Sequence, residues 1–258
     1  MGKRHLLSAY EACGGDQACP LRLEITRRPY FLAPRMLGQT LEESGPNRVW
    51  GRRWSTDEDS PVMQLGHEAG FSFNRDAIMS DTMRSHRLIL FAAKRGKGET
   101  MADVLATLYF EEGQPLADTA TLLEAARRVG LPHAEVESYL GGTDGQAEVL
   151  GQYLRVLELG IPSIPCAIMT AAGAGTTVHG SASVEVFRMA LAKLIAHFES
   201  LPADAKDPPP HKLAALFGPG SWAPSETPLE DVRRAFEADW QKQRALDGGT
   251  DEKIRARM

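Results

Sequence analysis

The hydrophobic periodicity of the chain changes after Gly160, and this change limits the folds that the sequence can adopt. Between about residues 60 and 159, apolar residues recur at helical spacing and predict a series of amphipathic helices. Ile164–Met169 is instead a short, almost continuous apolar run, which is typical of a buried strand. Small residues then predict a turn, Thr176–Val178 a returning strand, and Ser183–Phe198 a long helix. The pattern after Gly160 therefore predicts two strands followed by a helix.

The part of the chain before this change is predicted to contain one strand and mostly helices. Leu21–Thr26 alternates apolar and polar residues, which predicts a strand, and the polar stretch Gln39–Ser60 predicts an irregular loop. Helices are predicted over Lys3–Cys13, Ser60–Ala69, Asp81–Arg95, Glu99–Glu112, Thr119–Val129, Val136–Leu140 and Gln146–Leu159. The sequence thus contains both helices and strands, with the helices concentrated in its middle.

The C-terminal region has a different composition. Proline, aspartate and lysine dominate Pro202–Pro210, which predicts a linker. Thr227–Glu230 then combines a capping box with a proline at the first helical position. We therefore expect one further helix within residues 201–258.

Composition and charge exclude several classes of function. The net charge of −5 does not suggest nucleic-acid binding or a polybasic membrane surface. No apolar run approaches the roughly 20 residues that a membrane-spanning helix needs, and we recognise no secretory signal, so a cytoplasmic location is expected. The three cysteines, Cys13, Cys19 and Cys166, are too few and too widely spaced for a disulfide framework or a zinc site.

Several short segments match one known family in the same order and spacing. They are Gly2–Arg4, Arg28–Pro34, Gly66–Phe73, Ser85–Leu88, Tyr109–Phe110, Ala117–Leu131, Gly160–Pro165, and His179–Ser181 with Val186–Phe187. Over about residues 2–198 the chain resembles the DsbA-like oxidoreductases, in particular the group of FrnE and the 2-hydroxychromene-2-carboxylate isomerases. The resemblance implies an α/β protein with a thioredoxin-like fold and a helical insertion at about 56–158. The thioredoxin domain would span 1–200, with 201–258 as a C-terminal extension.

The chemistry of this family has two local requirements. A Cys-x-x-Cys at the N-terminus of the first helix provides a thiolate that the helix dipole stabilises. A cis-proline faces that motif, and the resemblance places it at Pro165, with Ile164 and Pro165 binding the substrate. The sequence contains no Cys-x-x-Cys, so no catalytic residue is assigned. Met1 falls just after the expected motif, and we therefore expect an N-terminal truncation that removes the motif and the first strand of the fold.

Other residues of possible chemical interest have a structural interpretation beside the functional one. Cys166 is a possible reactive thiol near the site, although a buried and inert strand cysteine is commoner. Cys13 and Cys19 flank a Gly-Gly turn and are expected to be free thiols. His86 is expected to be a structural histidine, and His5 to lie at the surface.

Three functions remain open at this point. The resemblance favours a thiol–disulfide oxidoreductase that acts on a thiol- or disulfide-bearing peptide or small molecule. The alternatives are a glutathione-dependent isomerase or transferase of the kappa-like group, and a redox-inactive module that binds peptides. We expect no cofactor unless it is glutathione, no metal, no nucleic acid and no membrane partner. The sequence does not predict an oligomeric state.

Overall fold

The computed structural model describes residues 1–44, 61–161, 164–205, 228–232 and 234. Within these ranges there are ten α-helices and one two-stranded antiparallel sheet. The helices are α1 Gly2–Ala12, α2 Gly15–Ala18, α3 Leu41–Ser44, α4 Pro61–Glu68, α5 Met83–Ala93, α6 Gly98–Ala106, α7 Thr119–Val129, α8 His133–Gly141, α9 Gln146–Glu158 and α10 Val184–Ser200. The strands are β1 Cys166–Ala171 and β2 Ala174–His179. No helix in the described ranges is both long enough and apolar enough to cross a membrane.

Local signals set the ends of the helices that the sequence predicts best. The Asp118 carboxylate accepts a hydrogen bond from the Thr121 N–H at 3.1 Å and begins α7. Gly130 adopts a left-handed conformation, with φ of 70°, and ends that helix. Ser183 caps α10 by accepting a hydrogen bond from the N–H of Val186. The sequence predicts α7 with its observed bounds because both of its ends are encoded locally.

The predicted strand at Leu21–Thr26 is wrong, since the structure gives this segment no regular secondary structure. The alternation itself holds, because Leu21, Leu23 and Ile25 are half-buried against a core cluster while the residues between them are exposed. A strand is defined by hydrogen bonds to a neighbouring strand, and none of the described residues pairs with this segment. The side chains of this segment therefore alternate between half-buried and exposed, although its backbone forms no hydrogen bonds of a β-sheet.

Two further predictions differ from the structure. The predicted loop 39–60 contains the helical turn α3, which begins with a reciprocal pair of hydrogen bonds between Thr40 and Glu43, and residues 45–60 lie outside the described residues. The predicted helix Glu99–Glu112 is divided into α6 and a π-helical turn over Thr107–Glu111. In this turn the Phe110 carbonyl accepts a hydrogen bond, at 2.6 Å, from the N–H of Asn74, which lies outside the helix.

The C-terminal predictions fall largely outside the described part of the chain. Residues 203–205 form a single 3₁₀ turn, and the rest of the predicted linker is not described. Residues 229–232 are helical, at the position where the capping box predicts a helix to begin. The remainder of that predicted helix lies outside the described residues.

The chain divides into two compact units. The first unit consists of residues 1–26 and 155–223, and contains α1, the β1–β2 hairpin and α10. Its core is formed by α1, both strands and α10 and contains Leu6, Ala9, Tyr10, Met169, Val178, Phe187, Ala190, Leu191 and Leu194. This unit holds the residues for which the resemblance implies a function.

The second unit consists of residues 27–154 and 224–258 and is helical. Its boundary lies at Arg27, whereas the predicted insertion begins at about residue 56. The difference arises because Tyr30 and Phe31 pack against Tyr153 of α9, with ring centroids 5.8 and 4.8 Å away. Val232 belongs to the same cluster of buried residues, so part of the predicted C-terminal extension packs within this unit.

Candidate functional site

Pro165 lies immediately before β1, and the peptide bond between Ile164 and Pro165 is cis. The Pro165 carbonyl accepts a hydrogen bond from the N–H of Gly180, at 2.8 Å, which closes the open end of the hairpin. Proline has no N–H to return to Gly180, so the regular strand begins one residue later, at Cys166. Gly180 has a φ of 74°, a left-handed conformation that favours glycine.

The cis peptide is accessible within the first unit. Pro165 is exposed, and Ile164 is one of the large apolar residues at the surface, with 42% of its area accessible. An isoleucine with this exposure presents apolar surface to solvent beside the proline. The two residues together form what we call the proline edge, namely Ile164 and Pro165.

The two faces of the β1–β2 hairpin differ. Ala167, Met169 and Val178 point to one face and pack in the core of the first unit, between α1 and α10. Cys166, Ile168, Thr177 and His179 point to the opposite face, as the alternation of a strand requires. On this second face Thr177 and His179 are exposed, while Cys166 and Ile168 are half-buried.

Cys166 and His179 are directly opposite each other in this hairpin. The adjacent residues Pro165 and Gly180 are hydrogen-bonded to each other. Because hydrogen-bonded and non-hydrogen-bonded pairs alternate along an antiparallel ladder, Cys166 and His179 form a non-hydrogen-bonded pair. Residues in such a pair have the closer side chains of the two types. Burial raises the pKa of the Cys166 thiol, which therefore stays protonated at neutral pH. The pairing of His179 with Cys166 does not follow from the sequence, because the small residues 171–175 predict a turn that leaves the register of the two strands open.

His5 is buried, with 7% of its area exposed, and the prediction that it lies at the surface is wrong. It belongs to the buried face of α1, and its Nδ1 lies 2.8 Å from the carbonyl oxygen of Ala182. This hydrogen bond joins α1 to the segment between β2 and α10. His5 thus helps to hold the helix beside the hairpin, which is a structural role.

The two N-terminal cysteines, Cys13 and Cys19, are free thiols in the structure. Both are half-buried against the core of the first unit, on either side of the diglycine Gly14–Gly15. Gly14 and Gly15 have φ of 103° and 52°, and they carry the chain from the end of α1 directly into α2. The diglycine therefore serves as a turn.

His86 lies in the helical unit, where its ring contacts Phe31 with the two centroids 5.1 Å apart and the planes nearly perpendicular. Burial lowers the pKa of His86 to about 4, partly opposed by a hydrogen bond with the backbone of Tyr30. A neutral imidazole packed against an aromatic ring is consistent with the structural interpretation. Among the described residues, no group of three or more His, Cys, Asp or Glu side chains could hold a metal ion.

Comparison with known proteins adds the family. Residues 22–192 match the model of the DsbA-like thioredoxin domain, which includes the hairpin, the proline edge and most of the helical unit. The chain belongs to the DsbA-like thioredoxin family. The predicted α/β class and thioredoxin-like fold are thereby confirmed, as is membership of the oxidoreductase family at the level of domain and fold.

Two solved structures resemble this member of the family. A probable DsbA oxidoreductase from Streptomyces coelicolor is 26% identical, with a TM-score of 0.46 over 53% of this chain and 58% of that protein. A candidate protein disulfide isomerase from Nitrosomonas europaea is 16% identical, with a TM-score of 0.45 over 53% of this chain and 76% of that protein. The chain thus spans little more than half the length of the Streptomyces protein. No match was found among curated protein sequences.

Proposed function

We propose that this protein is a thiol–disulfide oxidoreductase of the FrnE-like group, whose substrate binds along the proline edge. The substrate would be a thiol- or disulfide-bearing peptide or small molecule. The observation that carries the proposal is an exposed cis Ile164–Pro165 peptide at the start of β1, in a chain of the DsbA-like family.

The proline edge has the chemical properties that suit an extended ligand. Pro165 lacks an N–H that would compete for the carbonyls of a docked chain, and the exposed side chain of Ile164 offers apolar contact. The hydrogen bond that the Gly180 N–H donates to the Pro165 carbonyl holds Pro165 against the neighbouring strand. A ligand that adds to a backbone edge gains affinity from main-chain hydrogen bonds and specificity from neighbouring side chains.

The redox step requires a Cys-x-x-Cys joined to the N-terminus of α1. The N-terminal end of a helix stabilises a thiolate, which attacks the substrate disulfide and forms a mixed disulfide. The second cysteine then displaces the substrate as a thiol, so the protein is oxidised and the substrate reduced. The resemblance implies such a motif ahead of Gly2, and catalysis in this proposal depends on it, because Cys13, Cys19 and Cys166 do not form this motif.

The test compares the 258-residue chain with a version in which a strand ending in Cys-Pro-x-Cys precedes Gly2. The extended protein should reduce insulin or oxidise a model dithiol, and the same extension with both cysteines replaced by serine should not. Replacing Pro165 by alanine in the extended protein should raise KM more than it lowers kcat, since the proline binds substrate rather than reacting. An extended, folded protein that is inactive in both assays contradicts the proposal.

A redox-inactive peptide-binding module is the second candidate. It is favoured by the exposed proline edge, which offers a docking site whose binding needs no thiol. A variant with Cys13, Cys19 and Cys166 all replaced by serine should then bind peptides as the parent chain does. Retention on glutathione-agarose, released by free glutathione, would instead support the isomerase or transferase alternative. A cytoplasmic location, and no cofactor unless it is glutathione, are further parts of our proposal.

A further inference from the structure

We propose that Cys166 and His179 form a thiol–imidazole pair that accepts a mixed disulfide from a small disulfide such as oxidised glutathione. The pair lies on the accessible face of the β1–β2 hairpin, next to the proline edge. It needs no Cys-x-x-Cys, so this reactivity would belong to the 258-residue chain itself. The inference does not depend on the oxidoreductase activity proposed above.

The ladder register places the two side chains together. Cys166 and His179 are partners in a non-hydrogen-bonded pair, for which the Cβ atoms are typically about 4.5–5.5 Å apart. From this separation, a rotamer change brings an imidazole nitrogen within hydrogen-bonding distance of a thiol. His179 is exposed, so its side chain has room to rotate.

Among the side chains of the β1–β2 hairpin, His179 is the base on the same face as Cys166. The other side chains on this face of the hairpin are Ile168, Thr170 and Thr177, none of which titrates near neutral pH. The helix α10 packs on the opposite face of the hairpin, together with the core residues of α1, so the charged residues of α10 do not face the pair. Burial disfavours the Cys166 thiolate, which makes an adjacent proton acceptor necessary for reaction at neutral pH.

The proposed step is a thiol–disulfide exchange. His179 takes the proton of the Cys166 thiol, and the thiolate attacks one sulfur of oxidised glutathione. A Cys166–glutathione disulfide forms, the glutathione disulfide breaks, and the second glutathione leaves as a thiolate that receives the proton from His179. Cys166 is oxidised and one glutathione sulfur is reduced, so the reaction needs no further oxidant.

The three cysteines of this chain are all half-buried, and Cys166 differs from the other two in its neighbours. Cys166 is next to the exposed Pro165, whereas Cys13 and Cys19 pack against the core of the first unit. Neither Cys13 nor Cys19 has a histidine paired with it in a strand ladder. The inference therefore distinguishes Cys166 from the other two thiols and predicts where a glutathionyl group should be found.

The experiment follows the reaction of the reduced 258-residue chain with oxidised glutathione by intact-mass and peptide-mass spectrometry. The kinetic comparison uses a background in which Cys13 and Cys19 are serine, with His179→Gln as the test and Thr177→Gln as the matched control. Thr177 is exposed on the same strand and face, two residues from His179. Far-ultraviolet circular dichroism establishes that each variant folds.

We expect one glutathionyl group per chain at Cys166. At pH 7, His179→Gln should slow the formation of this disulfide about tenfold. This factor is smaller than that of a fully positioned general base, because His179 is exposed. The rates of the two proteins should converge as the pH rises above the pKa of the Cys166 thiol, where the thiolate forms without a base. Thr177→Gln should react like the parent protein at every pH.

Three results would overturn the inference. The first is preferential modification of Cys13 or Cys19 in the parent chain. The second is an unchanged rate in His179→Gln at pH 7, and the third is an equal slowing by His179→Gln at every pH, which would indicate a distorted hairpin rather than a lost base. None of these results depends on an added Cys-x-x-Cys, so they are separable from a failure of the insulin assay.

Discussion

Arg87 provides a direct test of the packing of the helical unit, because its charged side chain is buried. Only 3% of its area is exposed, although it lies on the amphipathic helix α5. Its Nε donates to the Asp144 carbonyl at 2.7 Å and its Nη2 to the Tyr139 carbonyl at 2.5 Å. The guanidinium also lies 5.1 Å from the centroid of the Tyr139 ring. A single side chain thus binds two carbonyls at the C-terminal end of α8 and in the loop beyond it.

Replacing Arg87 by methionine keeps the apolar stem and removes both donors. A hydrogen bond from a charged group contributes about 1.5–3 kcal/mol, and two part-buried carbonyls would lose this donor. We therefore expect the free energy of unfolding to fall by about 3–5 kcal/mol. Lysine has a single ammonium group and cannot reproduce the fork, so Arg87→Lys should lose about half as much.

Urea unfolding followed by far-ultraviolet circular dichroism measures this loss. The control is Arg127→Met on α7, because the Arg127 side chain is 72% exposed and pairs only at the surface with Glu124, at 2.7 Å. This control should change the free energy of unfolding by less than about 0.5 kcal/mol. If Arg87→Met stays within about 1 kcal/mol of the parent protein, the buried hydrogen bonds of Arg87 do not stabilise the unit as we argue.

Three further predictions concern a helix cap, a turn and a buried histidine. Asp118→Ala removes the side-chain acceptor at the start of α7 and should lower the free energy of unfolding by about 1 kcal/mol in urea titrations. Gly180→Ala should cost about 1–2 kcal/mol because of its left-handed backbone, and a loss above about 3 kcal/mol would contradict this, since no atom lies within 4 Å of the added carbon. His86 has its pKa lowered to about 4, so its contribution to stability is complete above its unfolded pKa of about 6.5 and is lost as the pH falls toward 4. The parent protein should therefore lose on the order of 2 kcal/mol more than His86→Gln between those pH values, and parallel pH profiles would refute the burial of a neutral imidazole.

The sequence predicts those parts of the fold whose causes lie within a few residues. The helix α7 is an example, because Asp118 begins it and Gly130 ends it. The change of pattern after Gly160 correctly places the hairpin and the long helix α10 behind the middle helices. The resemblance of Gly160–Pro165 to a known family also assigns substrate binding to Ile164 and Pro165, which stays a prediction.

Contacts between distant residues decided the rest. The alternation at residues 21–26 determines which side chains are buried, but a strand also needs a neighbouring backbone, and none of the described residues provides one. His5 is buried by Ala182, which is far away in the chain, and no local pattern in α1 indicates this contact.

The pairing of Cys166 with His179 likewise depends partly on the local sequence and partly on the tertiary structure. Residue 166 lies in the predicted strand Ile164–Met169, whereas residue 179 directly follows the predicted returning strand Thr176–Val178. Their register depends on the two-residue turn at Ala172–Gly173, where both φ angles are positive, at 47° and 82°. A turn longer by one residue would place the histidine on the opposite face, against the core. The sequence by itself determined which elements form, whereas the tertiary structure decided which side chains meet, because register and burial depend on partners that local patterns do not specify.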